Sequence, residues 1–126
     1  MEMKNLELNE KILQVIEELK RVNISNKNYL LNRIYAGKYI LSIQGSQNHY
    51  SSPRLFCDLE EYSSMEMAIF KKNGDWLYTT KSSTIRAFKK YDELITHSNG
   101  GGHECSVFAY VPIELINELY IYLKTK

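Results

Sequence analysis

The sequence predicts a single α/β (α+β) domain. Its mixed, mainly antiparallel four-stranded sheet carries packed helices, in the order ααβββαβα. Three observations predict this. Apolar residues recur at helical spacing near both ends of the chain. Between them lie stretches that alternate with a period of two, the mark of strands. The 126 residues, 44% hydrophobic and 25% charged, suit one core that needs no disulfide or metal staple.

Asn9 is a good N-cap, and Ile12, Val15, Ile16, Leu19 and Val22 follow at helical spacing. Glu10, Lys11, Glu17, Glu18, Lys20 and Arg21 fall mainly on the other face, giving an amphipathic helix over 9–22. Asn23 to Asn28 connects it to a second helix, capped by Ser25, containing Tyr29, Leu30, Ile34 and Tyr35 and stopped by Gly37. The pair forms an N-terminal unit, 1–37, beside a sheet with a C-terminal helix, 38–126. No linker or repeat divides the chain, so 1–126 is one domain.

The period then changes to two. Tyr39, Leu41 and Ile43 alternate with Ile40, Ser42 and Gln44, and both faces are partly apolar, as in an internal strand. Gly45 to Pro53 is a loop on composition. Met65, Met67 and Ile69 alternate with Glu66, Ala68 and Phe70 in a second strand. Asn73-Gly74 suits a type I′ turn, with Trp76 to Thr80 as the return strand. Ser82 or Ser83 caps a helix with Ile85 and Phe88, and a short helical stretch carries Tyr91, Leu94 and Ile95. Cys105, Val107, Ala109 and Val111 alternate with Ser106, Phe108 and Tyr110 in a fourth strand. Pro112 fits the first turn of a last helix, 113–124. Ile113, Leu115, Ile116, Leu119, Tyr120, Tyr122 and Leu123 cover most of that helix, so it is expected to join subunits in a homo-oligomer.

No apolar run approaches the ~18 residues of a membrane span. Sixteen basic and fifteen acidic residues argue against a general nucleic-acid coat and leave room for a local patch. Cys57 and Cys105 form no CxxC motif, and the charged N-terminus lacks a signal-peptide core, so a cytoplasmic protein with reduced thiols is expected. The ten tyrosines are the skew in composition.

Residues 98–105 (SNGGGHEC) hold the strongest local signal. Consecutive backbone amides of Gly100, Gly101 and Gly102 can form an anion-binding nest, and His103 adds a donor. Between 71 and 90, Lys71, Lys72, Lys81, Arg86, Lys89 and Lys90 face one acidic residue, Asp75. The loop from His49 to Arg54 adds Tyr50 and a guanidinium suited to phosphate. His97, His103 and Cys105 fit no closed zinc pattern, no acid–base pair converges, and no pattern calls for a cofactor.

Gly100-Gly101-Gly102-His103, after a hairpin and a short helix and before a strand, resembles the GGGH motif of DHH-type phosphoesterases. The likeness covers residues 64–124. There the motif belongs to a substrate-binding domain that contacts a nucleotide. The chain departs from the family at Ser106, Val107 and Phe108, where two small residues and a Gly are usual. The family's Asp-His-His catalytic domain has no counterpart, so the resemblance implies binding without hydrolysis. The Lys, Asn, Ile and Tyr bias is similar to chains of AT-rich Gram-positive hosts and their phages, among which small domains serve as accessory or anti-defence factors.

The expected function is therefore capture of a phosphate-bearing nucleotide, such as a signalling nucleotide, without catalysis. The contacts are Gly100, Gly101, Gly102, His103, Lys81, Arg86 and Arg54, with Tyr50 or Tyr78 stacking on the base. The alternative is a protein-inhibitor module that blocks a host protein through a tyrosine-rich surface.

Overall fold

The computed structural model describes residues 24–25, 30–31, 33–98 and 107–126. The first predicted helix, 9–22, and the glycine loop with His103 and Cys105 lie outside them. The described chain builds a four-stranded antiparallel sheet with helices on one side, a mixed α/β domain with one core.

The strands are β1 (Ile24–Ser25), β2 (Leu30–Leu31), β3 (Ile34–Ala36), β4 (Tyr39–Gln44), β5 (Ser64–Lys71) and β6 (Val107–Pro112). The helices are α1 (Ser83–Arg86), α2 (Tyr91–Ile95) and α3 (Ile113–Lys124). The main sheet has the order β3-β4-β5-β6, and β1 and β2 pair separately. Gln44 joins the two pieces. Its side-chain amide accepts from Leu31 N at 2.7 Å and donates to Leu31 O at 2.8 Å, copying a strand ladder.

Two elements differ from expectation. The predicted second helix is extended instead: Leu30–Leu31 and Ile34–Ala36 are strands. The four-residue spacing of Leu30 and Ile34 imitates a helix. The hairpin pairing Ile34↔Leu41 and Ala36↔Tyr39 prevails, and Gly37 turns it at φ +61°. The predicted return strand 76–80 is reduced to one bridge, Phe70↔Trp76, followed by a 3-10 turn at Thr79–Lys81. β4 occupies one edge of β5 from Glu66 to Lys71. β6 takes the other edge from Ser64 to Ala68, so the return segment finds only Ile69 to Lys71 free. The turn itself is not type I′. Gly74 N donates to Lys71 O and Lys71 N to Asp75 O, with Gly74 at φ +95°, which is a type I turn closed by a glycine bulge.

Leu41 and Ile43 on β4, and Met67 and Ile69 on β5, alternate inward and are fully buried. Phe108 and Val111 from β6, Ile85 and Leu94 from α1 and α2, and Ile116, Leu119 and Leu123 from α3 close the core. Ser82 caps α1 by accepting from Ile85 N, and Pro112 precedes α3 as expected. The apolar girth of α3 is used mostly within the chain: Leu115, Ile116, Leu119, Tyr120 and Leu123 are all buried. Among the described residues, a groove of about 330 Å³ lined by Phe88, Glu118, Ile121 and Tyr122 leaves apolar surface open beside it.

Candidate functional site

The predicted contact residues divide between the two ends of β5. Glu66 lies near its start and Lys71 at its end, about 17 Å apart along an extended strand.

At the end of β5, Lys71, Leu77, Tyr78, Lys81 and Ser82 line an open cavity of about 200 Å³. Leu77 is buried and anchors the segment, with its amide on Ile69 O. The next residue, Tyr78, therefore stays on the surface, 49% exposed. The 3-10 turn brings Lys81 back, its Nζ 5.4 Å from the centre of the Tyr78 ring. Two ammonium groups and one aromatic face thus share a cavity large enough for a phosphate with part of its substituent. The wider cation cluster is weaker than the sequence count. Lys90 pairs with Glu118 at 2.8 Å, which raises its pKa against the opposing effect of burial. Arg86 and Lys89 are exposed on and after α1 and line no part of this cavity.

At the start of β5, Tyr50 and Arg54 come together with a residue not assigned to the site beforehand, Tyr110. The Arg54 guanidinium lies 5.0 Å over the Tyr50 ring, which meets the Tyr110 ring at 5.7 Å between centroids. A bulge sets this up: the ladder steps from Met65↔Val111 to Met67↔Phe108, so Glu66 faces both Ala109 and Tyr110. Tyr110 takes φ +52°, an outlier for a bulky side chain that costs about 1–3 kcal/mol. Its amide donates to Tyr50 O, the Ala109 amide to His97 O, and the Tyr50 amide to a Glu66 carboxylate oxygen. Glycine or asparagine usually marks such a backbone, so the sequence carried no signal for it.

Tyr62 holds this loop to the sheet. Its hydroxyl proton is shared between Leu55 O at 2.7 Å and Gly45 O at 2.9 Å, and its oxygen accepts from Cys57 N. Burial pushes the Tyr62 pKa up to about 12. Burial also raises that of Cys57, so its thiol stays protonated at neutral pH and is a poor nucleophile. Among the described residues, no three His, Cys, Asp or Glu side chains converge as metal ligands. No described helix is long and apolar enough to cross a membrane.

Tyr110→Gly is expected to be about 1–2 kcal/mol more stable than Tyr110→Ala, because only alanine keeps the left-handed penalty. Urea unfolding of the two variants checks this, and equal midpoints would contradict the strained backbone.

Comparison with family models, curated proteins and solved structures gives no match.

Proposed function

We propose that this protein captures a phosphate-bearing nucleotide without catalysing its turnover, at the cavity beside the end of β5. The observation that carries the reading is the convergence of Lys71, Lys81 and Tyr78 on one space. The lysines meet the phosphate as point charges, and the base stacks on the exposed face of Tyr78. The resemblance to the GGGH substrate-binding domain implies further donors at Gly100, Gly101, Gly102 and His103, which lie outside the described residues. A signalling nucleotide withdrawn in this way fits an anti-defence factor.

Isothermal calorimetry with mono-, di- and cyclic nucleotides tests the proposal. Binding is expected, and Lys81→Ala should weaken it about 10–100-fold, the worth of one charge-assisted hydrogen bond. Gly101→Val should weaken it as well. Absence of heat with every nucleotide, or indifference to Lys81→Ala, overturns the reading.

A second reading, a protein-inhibitor surface, is favoured by the other end of β5. Tyr50 and Tyr110 are both more than a third exposed there beside Arg54, and Tyr and Arg are residue types that anchor protein interfaces. It predicts a host-protein complex sensitive to Tyr110→Ala and indifferent to Gly101→Val. Self-association through α3 belongs to the same proposal, with the groove lined by Phe88, Ile121 and Tyr122 as its expected contact.

A further inference from the structure

We infer that the outer face of the sheet, at its basic end, binds single-stranded nucleic acid. The register aligns one row of residues across the sheet: Tyr35 pairs with Ile40, Ile40 with Phe70, and Phe70 with Trp76. Directly opposed residues share a face, and this face is the one turned away from α3. Ile34 and Ala36, on either side of Tyr35, are buried in the core, whereas Tyr35 is 65% exposed. Trp76 is 46% exposed and packs on Phe70 with ring centroids 4.7 Å apart. The Arg33 guanidinium lies 4.2 Å over the same Phe70 ring. Two solvent-facing aromatic rings and a stacked guanidinium therefore stand on a rigid floor of Ile40 and Phe70.

Charge is segregated to match. Lys38 in the β3–β4 turn and Lys72 after β5 are exposed at this end of the sheet. The C-terminus of α3, with Lys124 and Lys126, abuts the same turn at Gly37. Among the described side chains at this end, the carboxylate of Asp75 is engaged by the Asn73 side-chain amide at 3.1 Å. Asp58, Glu60 and Glu61 lie instead on the segment entering the opposite end of β5. Among the described residues, the end that carries the aromatic row is therefore the basic one.

Exposed aromatics on a sheet, flanked by cations, suit unpaired bases that stack while their phosphates meet the cations. A duplex hides its base faces and offers nothing to Tyr35 or Trp76. The row spans three strand intervals, about 14 Å, more than one base covers. The bases are therefore assigned to Tyr35 and Trp76, and the phosphates to Arg33, Lys38 and Lys72. None of these residues lines the Lys71–Tyr78–Lys81 cavity, so this proposal and the nucleotide proposal can fail separately.

The test uses the full chain and a fluorescein-labelled oligothymidylate of about 12 nucleotides, within the usual span of one such surface. Trp76 is the single tryptophan, so its fluorescence reports stacking directly. Titration should raise the oligonucleotide anisotropy and quench Trp76. Trp76→Ala and Tyr35→Ala should each weaken binding about 5–100-fold, and both sites are exposed enough for the variants to fold. Between about 50 and 200 mM salt the log–log slope should be about −2, for three phosphates neutralised. Lack of an anisotropy change overturns the proposal. Unchanged affinity in both variants, or equal affinity for a duplex, overturns it too.

Discussion

Gly37→Ala is expected to destabilise the domain by about 2–5 kcal/mol. Two costs add. At φ +61° the backbone is left-handed, and any L-residue pays about 1–2 kcal/mol there. An added Cβ also collides with the carbonyl oxygen of Leu123 and comes within 3.2 Å of Lys126 C. Those are backbone atoms at the end of α3, where Leu123 O already accepts from Lys126 N, so they cannot turn aside as a side chain would. Forcing a methyl into such a packed site costs about 1–3 kcal/mol more. Gly74→Ala is the control. It has φ +95° but meets nothing within 4 Å, so only the conformational cost of about 1–2 kcal/mol is expected. Urea denaturation of both variants separates the terms. Equal losses would show that α3 does not bear on the β3–β4 turn.

Gly45→Ala should cost about 2–4 kcal/mol for a different reason. Its backbone is ordinary, and space decides: a Cβ lies 2.6 Å from two ring carbons of Tyr62 and 2.9 Å from its hydroxyl oxygen. The ring cannot yield without breaking its bonds to Leu55 O and Gly45 O. Tyr62→Phe removes the hydroxyl, leaves those groups unsatisfied, and should cost about 1–3 kcal/mol. The two substitutions meet at one point, so the double variant should lose less than the sum of the two. The same hydroxyl sets an alkaline limit. Its folded pKa, about 12, lies above the ordinary value of 10.0. The stabilisation is therefore complete below the unfolded value and is lost as pH rises through the folded one. Chemical unfolding from neutral pH upward should show a larger loss in the parent than in Tyr62→Phe, which keeps only the alkaline loss of the Lys90–Glu118 pair.

The elements legible in the sequence are those settled by neighbours along the chain. Pro112 and the apolar spacing after it mark α3, Ser82 caps α1, and alternation marks β4, β5 and the body of β6. What escaped depends on pairing at a distance. Ile34 to Ala36 becomes a strand because Leu41 and Tyr39 lie across a left-handed glycine turn. The return from Asn73-Gly74 is cut short because β6, from far along the chain, holds the same edge of β5. The site follows this pattern. Tyr78 and Lys81 are close in sequence and share a cavity. Tyr50 and Arg54 are also close and stack, but the register puts them at the other end of β5. Tyr110 joins them only through a bulge that no residue type announces. Lys90 leaves the basic cluster because Glu118, on another helix, pairs with it.

Nucleotide capture at the Lys71–Tyr78–Lys81 cavity is tested by a ¹H–¹⁵N correlation titration with the nucleotide that gives the strongest calorimetric signal. The amides of Lys71, Tyr78, Lys81 and Ser82 are expected to shift together and saturably, while those of Tyr50, Glu66 and Tyr110 stay in place. Shifts confined to Tyr50, Glu66 and Tyr110, or no saturable shift at the cavity, would contradict it.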